Sequence, residues 1–222
     1  MGIVILLFAI LAAALPVIVV FFWFRKKKPE ITLPWFLISL IAGIISLFAA
    51  ALIQSLLLSP VKDTQNGIGT VFFSIFVRIA LVEELSRLLT LFLVLKTGRR
   101  SSSMNSSFAA SLGLIAGLGF AMVESASYGT ADINITLLRI FSAAPLHAAC
   151  GIRAGTAIFI IPKQQLKAAF YFFAAVLIHG AYNLMIVSPA LPSLLAIPFA
   201  LAAFLSSLYL IKTTSGKNDN IL

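Results

Sequence analysis

TVFFSIFVRIALVEELSRLLTLFLVL, residues 70–95, is apolar for longer than the roughly 20 residues a membrane-spanning helix requires, yet Glu83, Glu84 and Arg87 lie near its middle. An ionisable side chain at bilayer depth costs several kcal/mol, so it persists where it has a partner and a task. The pattern recurs in three more apolar stretches. SLGLIAGLGFAMVESASY (111–128) holds Glu124, LLRIFSAAPLHAACGIRAG (137–155) holds His147, and FFAAVLIHGAYNLMIV (172–187) holds His179. Both histidines of the chain therefore sit inside apolar runs. Glutamate and histidine are the residue types that activate water or hold a metal ion. Four such helices predict one polar site inside a helix bundle.

Composition sets the class. The chain has 222 residues, 61% of them hydrophobic and only 10% charged, with a mean hydropathy of +1.09. A soluble domain is closer to a quarter charged. These values predict an all-α polytopic membrane bundle: a single domain over 1–211, its polar site built from helices at 70–95, 107–128, 135–161 and 167–187, and a short tail at 212–222. The lipid bilayer is the first expected partner. The net charge of +9 does not point to nucleic acid, because the basic residues cluster between apolar runs, where membrane orientation explains them. Cys150 is the only cysteine, so no intrachain disulfide can form.

Seven apolar segments are expected, at about 2–24, 33–59, 70–95, 107–128, 135–161, 167–187 and 191–211. The second and fifth are long enough to tilt or kink, and Pro16, Pro145 and Pro198 fall within spans. Seven spans put Arg25 to Lys28, Lys96 with Arg99 and Arg100, Lys163 with Lys167, and Lys212 with Lys217 on one side, against Lys62 alone on the other. Positive charge marks the cytoplasmic side, which predicts an outer N-terminus and a cytoplasmic C-terminus. The first segment carries its basic cluster at its C-terminal end, so it is expected to be a retained helix rather than a cleaved signal. Residues 101–107 should form a polar loop and the tail after 212 should be disordered.

Counting along the spans places Glu83, Glu84 and His147 roughly 18–20 Å from the outer ends, with His179 and Glu124 somewhat higher. Glu83 and Arg87 share a helix face at i,i+4 and are expected to pair, while Glu84 points about 100° away. His179 and Asn183 share another face. Gly113, Gly117, Gly119 and Ala121 give a small-residue surface beside Glu124. Each residue alone also has a structural reading: an intramembrane ion pair at Glu83–Arg87, a packing histidine at 147, interhelical hydrogen bonding at His179 and Asn183, a solvated Glu124, a snorkelling Arg139, and an Arg153 paired within the bundle. Their joint occurrence on four helices favours a site. Ser86 has no readable base and is not expected to be a nucleophile.

Four of these segments together resemble the PrsW family of intramembrane proteases, relatives of the CAAX prenyl endopeptidases and the CPBP membrane proteins. VEELSR (82–87) is similar to the family's EExxK/R element, and GLIAGLGFAMVES (113–125) to its GxGFAxxEN element. APLHAACG (144–151) resembles its histidine segment and LIHGAYNL (177–184) its final HxxxN-like element. Order and spacing agree over roughly 80–185. Ser125 departs from the usual asparagine and Arg87 from the commoner lysine. The region before 70 carries no such motif, and ALPVIVVFFWFRKKK also resembles the YhfC group of membrane peptidases.

The resemblance implies an endopeptidase of the bacterial plasma membrane that cleaves a single-span membrane protein. Glu83 would be the general base, supported or replaced by Glu84. His147 and His179 would orient the water or bind a metal, with Glu124 a further ligand or a support behind the ligands, and Asn183 would stabilise the oxyanion. Zinc is the candidate cofactor, with a metal-free Glu/His mechanism as the alternative. The rival functions are a non-catalytic scaffold that keeps these residues structurally, and a proton- or metal-coupled transporter. A transporter should show paired halves, and no internal repeat is evident.

Overall fold

A computed structural model describes residues 2–57, 67–98, 105–129, 132–188 and 193–216. Most of the loop expected at 101–107, the end of the tail and most of the 60–69 connection lie outside them; where described, 106–107 begin a helix and 213–216, expected to be disordered, continue one. The described residues are helical and contain no strand. The helices are α1 (Gly2–Ala13), α2 (Leu15–Lys27), α3 (Leu33–Leu57), α4 (Ile68–Phe73), α5 (Val82–Gly98), α6 (Ser106–Gly129), α7 (Ile133–Phe141), α8 (Ala143–Ile160), α9 (Gln165–Val187) and α10 (Ala196–Gly216). Among the described residues, six helical stretches are long and apolar enough to cross a membrane: Val4–Lys27, Leu33–Leu56, Ser106–Gly129, Ala143–Ile160, Gln165–Val187 and Ser193–Ile211. The chain is an integral membrane protein.

The stretch that carries Glu83 and Glu84 is also one continuous helix, from Ile68 to Gly98, set apart from the other six by the charges it carries, Arg78, Glu83, Glu84 and Arg87 among them. Its turns widen to a π-helix over Ser74–Leu81. Such wide turns are rare and concentrate at functional positions. Here the π segment leads into Glu83 and Glu84, both buried in the bundle.

α6 and α8 form the centre. They are buried over 89% and 83% of their most apolar windows, against 17% for the first crossing. Glycine makes this possible. A Cβ on Gly113 would strike the Gly151 carbonyl, one on Gly117 the His147 carbonyl, and one on Gly155 the Ala109 carbonyl. The two backbones are in direct contact, the small-residue packing that membranes favour where no hydrophobic effect drives helices together. The contact at Gly117 sets the height of His147 against α6. Around this pair, α3, α5, α9 and α10 turn large side chains such as Phe48, Leu52, Leu93, Phe170, Leu177 and Leu205 outward. In water this belt would aggregate; in lipid it is the solvated surface.

The fifth expected span, 135–161, is two helices. α7 is capped by Asp132, whose side chain accepts from the Asn134 N–H at 2.9 Å, and it ends at Phe141. α8 begins one residue beyond Ser142, with Pro145 in its first turn, where its missing N–H leaves no bond unmade. The tilt or kink expected from the length of this span is thus a break at Ser142.

Candidate catalytic site

The expected polar residues meet. Arg87 is fully buried and forms the hub: NH1 donates to both carboxylate oxygens of Glu84, at 2.6 and 2.5 Å. Its NH2 lies 3.1 Å from His147 Nδ1, and its Cζ stands 4.4 Å over the Phe120 ring. Arginine has only donors, so His147 Nδ1 accepts, and its ring proton sits on Nε2, which donates to Glu124 Oε2 at 2.8 Å. Glu84 Oε1 also accepts from His179 Nδ1 at 2.8 Å. The two imidazoles meet edge to face with centroids 4.9 Å apart. One hydrogen-bonded chain therefore joins Glu124, His147, Arg87, Glu84 and His179 across α6, α8, α5 and α9.

Two details correct the reading of the sequence. Arg87 pairs with Glu84, its i−3 neighbour, and not with Glu83. Both spacings share a helix face; the Phe120 face and the His147 nitrogen draw the guanidinium to the Glu84 side. Arg139 does not snorkel: its NH2 donates to Glu124 Oε2 at 2.5 Å and its Nε to Ser125 Oγ at 3.1 Å.

Glu83 is the exception within the cluster. It is buried, its Oε1 lies 3.5 Å from the Gln54 amide nitrogen, and among the described residues no group donates to Oε2. That oxygen lies 3.6 Å from His179 Nε2, beyond a direct hydrogen bond. An unpaired carboxylate oxygen in a dry interior costs about 1–3 kcal/mol or more. Among the described acids of the cluster, it is the one with a fully buried oxygen left without a donor. Ser86 Oγ is buried with no hydrogen-bond partner among the described residues, so no base touches it.

Asn183 lies on α9 one turn beyond His179, half-buried. The donor groups of Glu84, His147 and His179 lie within 4.8 Å of one another. Two imidazoles and a carboxylate are a catalytic-zinc donor set, so the residue types fit a divalent ion, and an ion there would displace the Arg87 bonds to Glu84 and His147 Nδ1. Glu124, expected from sequence as a further ligand or a support behind the ligands, reaches this group through His147 Nε2. The apolar recess of about 380 Å³ lined by Leu88, Ala157, Ala168 and Phe172 contains no ionisable group, so the chemistry does not reside there.

Sequence reasoning missed Gln54, whose amide also donates to the Arg78 carbonyl at 3.2 Å within the π segment. A lone carboxamide in an otherwise apolar α3 was the available signal. It also missed Phe120 as the platform for Arg87 and His147 (ring centroids 4.8 Å).

A helical membrane bundle with a buried, interlocked set of glutamates and histidines defines the class: a polytopic membrane protein with an ionisable cluster inside its bundle. The profile described as PrsW family intramembrane metalloprotease matches residues 32–211, and the chain belongs to that family. No curated protein and no solved structure shows significant similarity to it.

Proposed function

We propose that this protein is an intramembrane endopeptidase that hydrolyses a peptide bond of a single-span membrane protein near the outer half of the bilayer. The observation that carries this reading is the division of labour between adjacent acids. Glu84 is saturated by Arg87 and His179, whereas Glu83 keeps an unpartnered oxygen facing His179 Nε2. A general base must be within reach of its water and free to take the proton. Glu83 meets that condition and Glu84 does not, so Glu83 is the base and Glu84 orients His179.

In the proposed reaction, Glu83 Oε2 and His179 Nε2 hold the attacking water, and Glu83 takes its proton as the oxygen adds to the scissile carbonyl. Asn183 donates to the developing oxyanion, the largest single electrostatic aid in such reactions. The proton held by Glu83 then passes to the leaving nitrogen. In the metal-dependent form that the family name implies, Glu84, His147 and His179 would instead hold zinc, with lone pairs that Arg87 and the Glu84–His179 bond occupy in the arrangement above. When bound, it supplies Lewis-acid polarisation of water and carbonyl.

Topology supports an outer site. Counting the Ile68–Gly98 helix as a seventh crossing puts the basic clusters on the cytoplasmic side and the N-terminus outside. Residues 1–211 act as one catalytic unit and 212–222 as a cytoplasmic tail, in the bacterial plasma membrane. Labelling of Lys28→Cys from outside intact cells would overturn this arrangement; labelling of Asn66→Cys alone supports it.

The test of function is cleavage of a single-span substrate by the protein reconstituted in lipid vesicles. Chelation should stop cleavage and added zinc should restore it. Undiminished cleavage under exhaustive chelation would remove the metal and leave the Glu/His chemistry. Full activity of His179→Ala would sink the mechanism.

A further inference from the structure

Arg139 lies outside every segment that carries the family resemblance, yet it is among the most firmly held side chains at the site. α7 sets it beside the outer end of α6. There NH2 donates to Glu124 Oε2 at 2.5 Å, Nε donates to Ser125 Oγ at 3.1 Å, and Cζ stands 4.5 Å over the Tyr128 ring. α7 is itself tied down. The Thr136 hydroxyl donates to the Ser125 carbonyl at 2.9 Å, and the Tyr182 hydroxyl donates to Ser142 Oγ at 3.1 Å at the α7–α8 break.

Glu124 Oε2 is the shared atom, accepting from Arg139 and from His147 Nε2 together. Glu124 is also the most solvent-exposed acid of the cluster, with 17% of its side chain accessible against 1% for Glu84. Held by a neutral imidazole alone, such a carboxylate can swing toward water. Gripped by a planar fork that is itself fixed at a hydroxyl and an aromatic face, it cannot.

We propose that Arg139 is a positioning residue: by clamping Glu124 Oε2 it fixes the orientation of the His147 ring, and through His147 Nδ1 the Arg87 hub that arranges Glu84 and His179. The proposal rests on the hydrolytic reading of the site given above. A merely structural ion pair would change stability without changing how His147 is held or how fast bound substrate reacts.

The experiment compares wild type with Arg139→Gln, Arg139→Lys, Glu124→Gln and the Arg139→Gln/Glu124→Gln double variant. It reads kcat and KM in vesicles, and separately the ring ¹⁵N–H signals of ¹⁵N-histidine-labelled protein in detergent without substrate. With only two histidines in the chain, His147 is assignable by substitution of His179. Arg139→Gln should lower kcat by about 10–100-fold with KM unchanged within about twofold, the scale expected of a displaced catalytic group. Lysine, which keeps the charge but not the fork, should recover part of that loss. The double variant should be no slower than Glu124→Gln alone, because the two residues act in series. In the spectrum, the His147 Nε2–H signal, slowly exchanging in wild type, should broaden in Arg139→Gln.

Unchanged kcat together with an unchanged His147 signal would overturn the proposal, as would a rise in KM at constant kcat or fully additive losses in the double variant. If Arg139→Gln does not accumulate, Ser125→Ala, which removes the Nε acceptor, serves instead. It should lower kcat a few-fold at constant KM, and wild-type values for it and for Arg139→Lys would also overturn the clamp. Absence of cleavage by wild type with a broadened His147 signal in the variant would remove the hydrolytic reading and leave the clamp standing.

Discussion

Two buried arginines of this bundle have opposite surroundings. Arg87 on α5 lies among ionisable groups, with Glu84 on NH1, His147 on NH2, and His179 and Glu124 one bond further. Arg153 on α8 donates, among the described residues, to neutral acceptors. Its NH1 donates to Ser207 Oγ and to the carbonyls of Ala149 and Ala203, and its NH2 to Ser206 Oγ at 2.9 Å. Both arrangements satisfy a costly charge. The Arg153 cluster holds α8 to α10 and has no group that can exchange a proton at neutral pH. The Arg87 cluster joins acids and imidazoles and, among the described residues, leaves one buried carboxylate oxygen beside it, Glu83 Oε2, without a donor. Satisfaction alone thus marks structure, and the incomplete network marks chemistry.

The largest effects should fall on that incomplete network. Glu83→Gln keeps size and removes the base, and should lower cleavage by about 10²–10⁴-fold, the usual worth of a general base. His147→Ala and His179→Ala should each abolish cleavage while the protein still accumulates in the membrane. Arg153→Met, measured in the same vesicles, should leave the rate per folded molecule unchanged. A rate loss at Arg153 matching that at Glu83 would erase the distinction between the two clusters.

Stability should separate the arginines in the other direction. Arg87→Met leaves Glu84 buried beside His179 without its countercharge, and breaking one side of a buried pair costs about 3–5 kcal/mol. Arg153→Met frees Ser206 and Ser207, but both hydroxyls already donate to the Ala203 carbonyl, so the loss should be about 1 kcal/mol. Thermal unfolding in detergent ranks them; equal midpoints for the two variants would contradict the ion-pair account. Gly117→Ala falls between. Its methyl meets the His147 carbonyl, and overpacking of this kind costs about 1–3 kcal/mol.

Much of this was legible in the sequence for a physical reason. Lipid allows no unsatisfied backbone, so spans must be continuous apolar helices, and a charge within one must have company. Glu83, Glu84, Glu124, His147 and His179 could therefore be expected to meet before any coordinates existed. What could not be read is which partner each would take. Arg87 reaches Glu83 and Glu84 about equally along its own helix, and the choice is made by Phe120 and His147, which other helices supply. Arg139 is placed on Glu124 by the break at Ser142, which turns one expected span into two helices. Gln54 reaches the π segment from α3, a packing that periodicity does not encode.

The smallest predicted effect tests how finely that placement matters. Ser125 stands where the family commonly has asparagine, and here its hydroxyl accepts from Arg139 Nε. The carboxamide oxygen of asparagine can accept the same bond, and the Thr136 hydroxyl uses only the Ser125 backbone carbonyl, which the substitution keeps. The site is buried, so the added atoms must be absorbed next to Tyr128 and α7. Ser125→Asn should therefore preserve cleavage within about threefold, less than about 0.7 kcal/mol in transition-state energy. Its melting midpoint should shift less than that of Gly117→Ala. A loss comparable to that of Arg139→Gln would mean that the hydroxyl, and not merely an acceptor at that point, holds Arg139 in place.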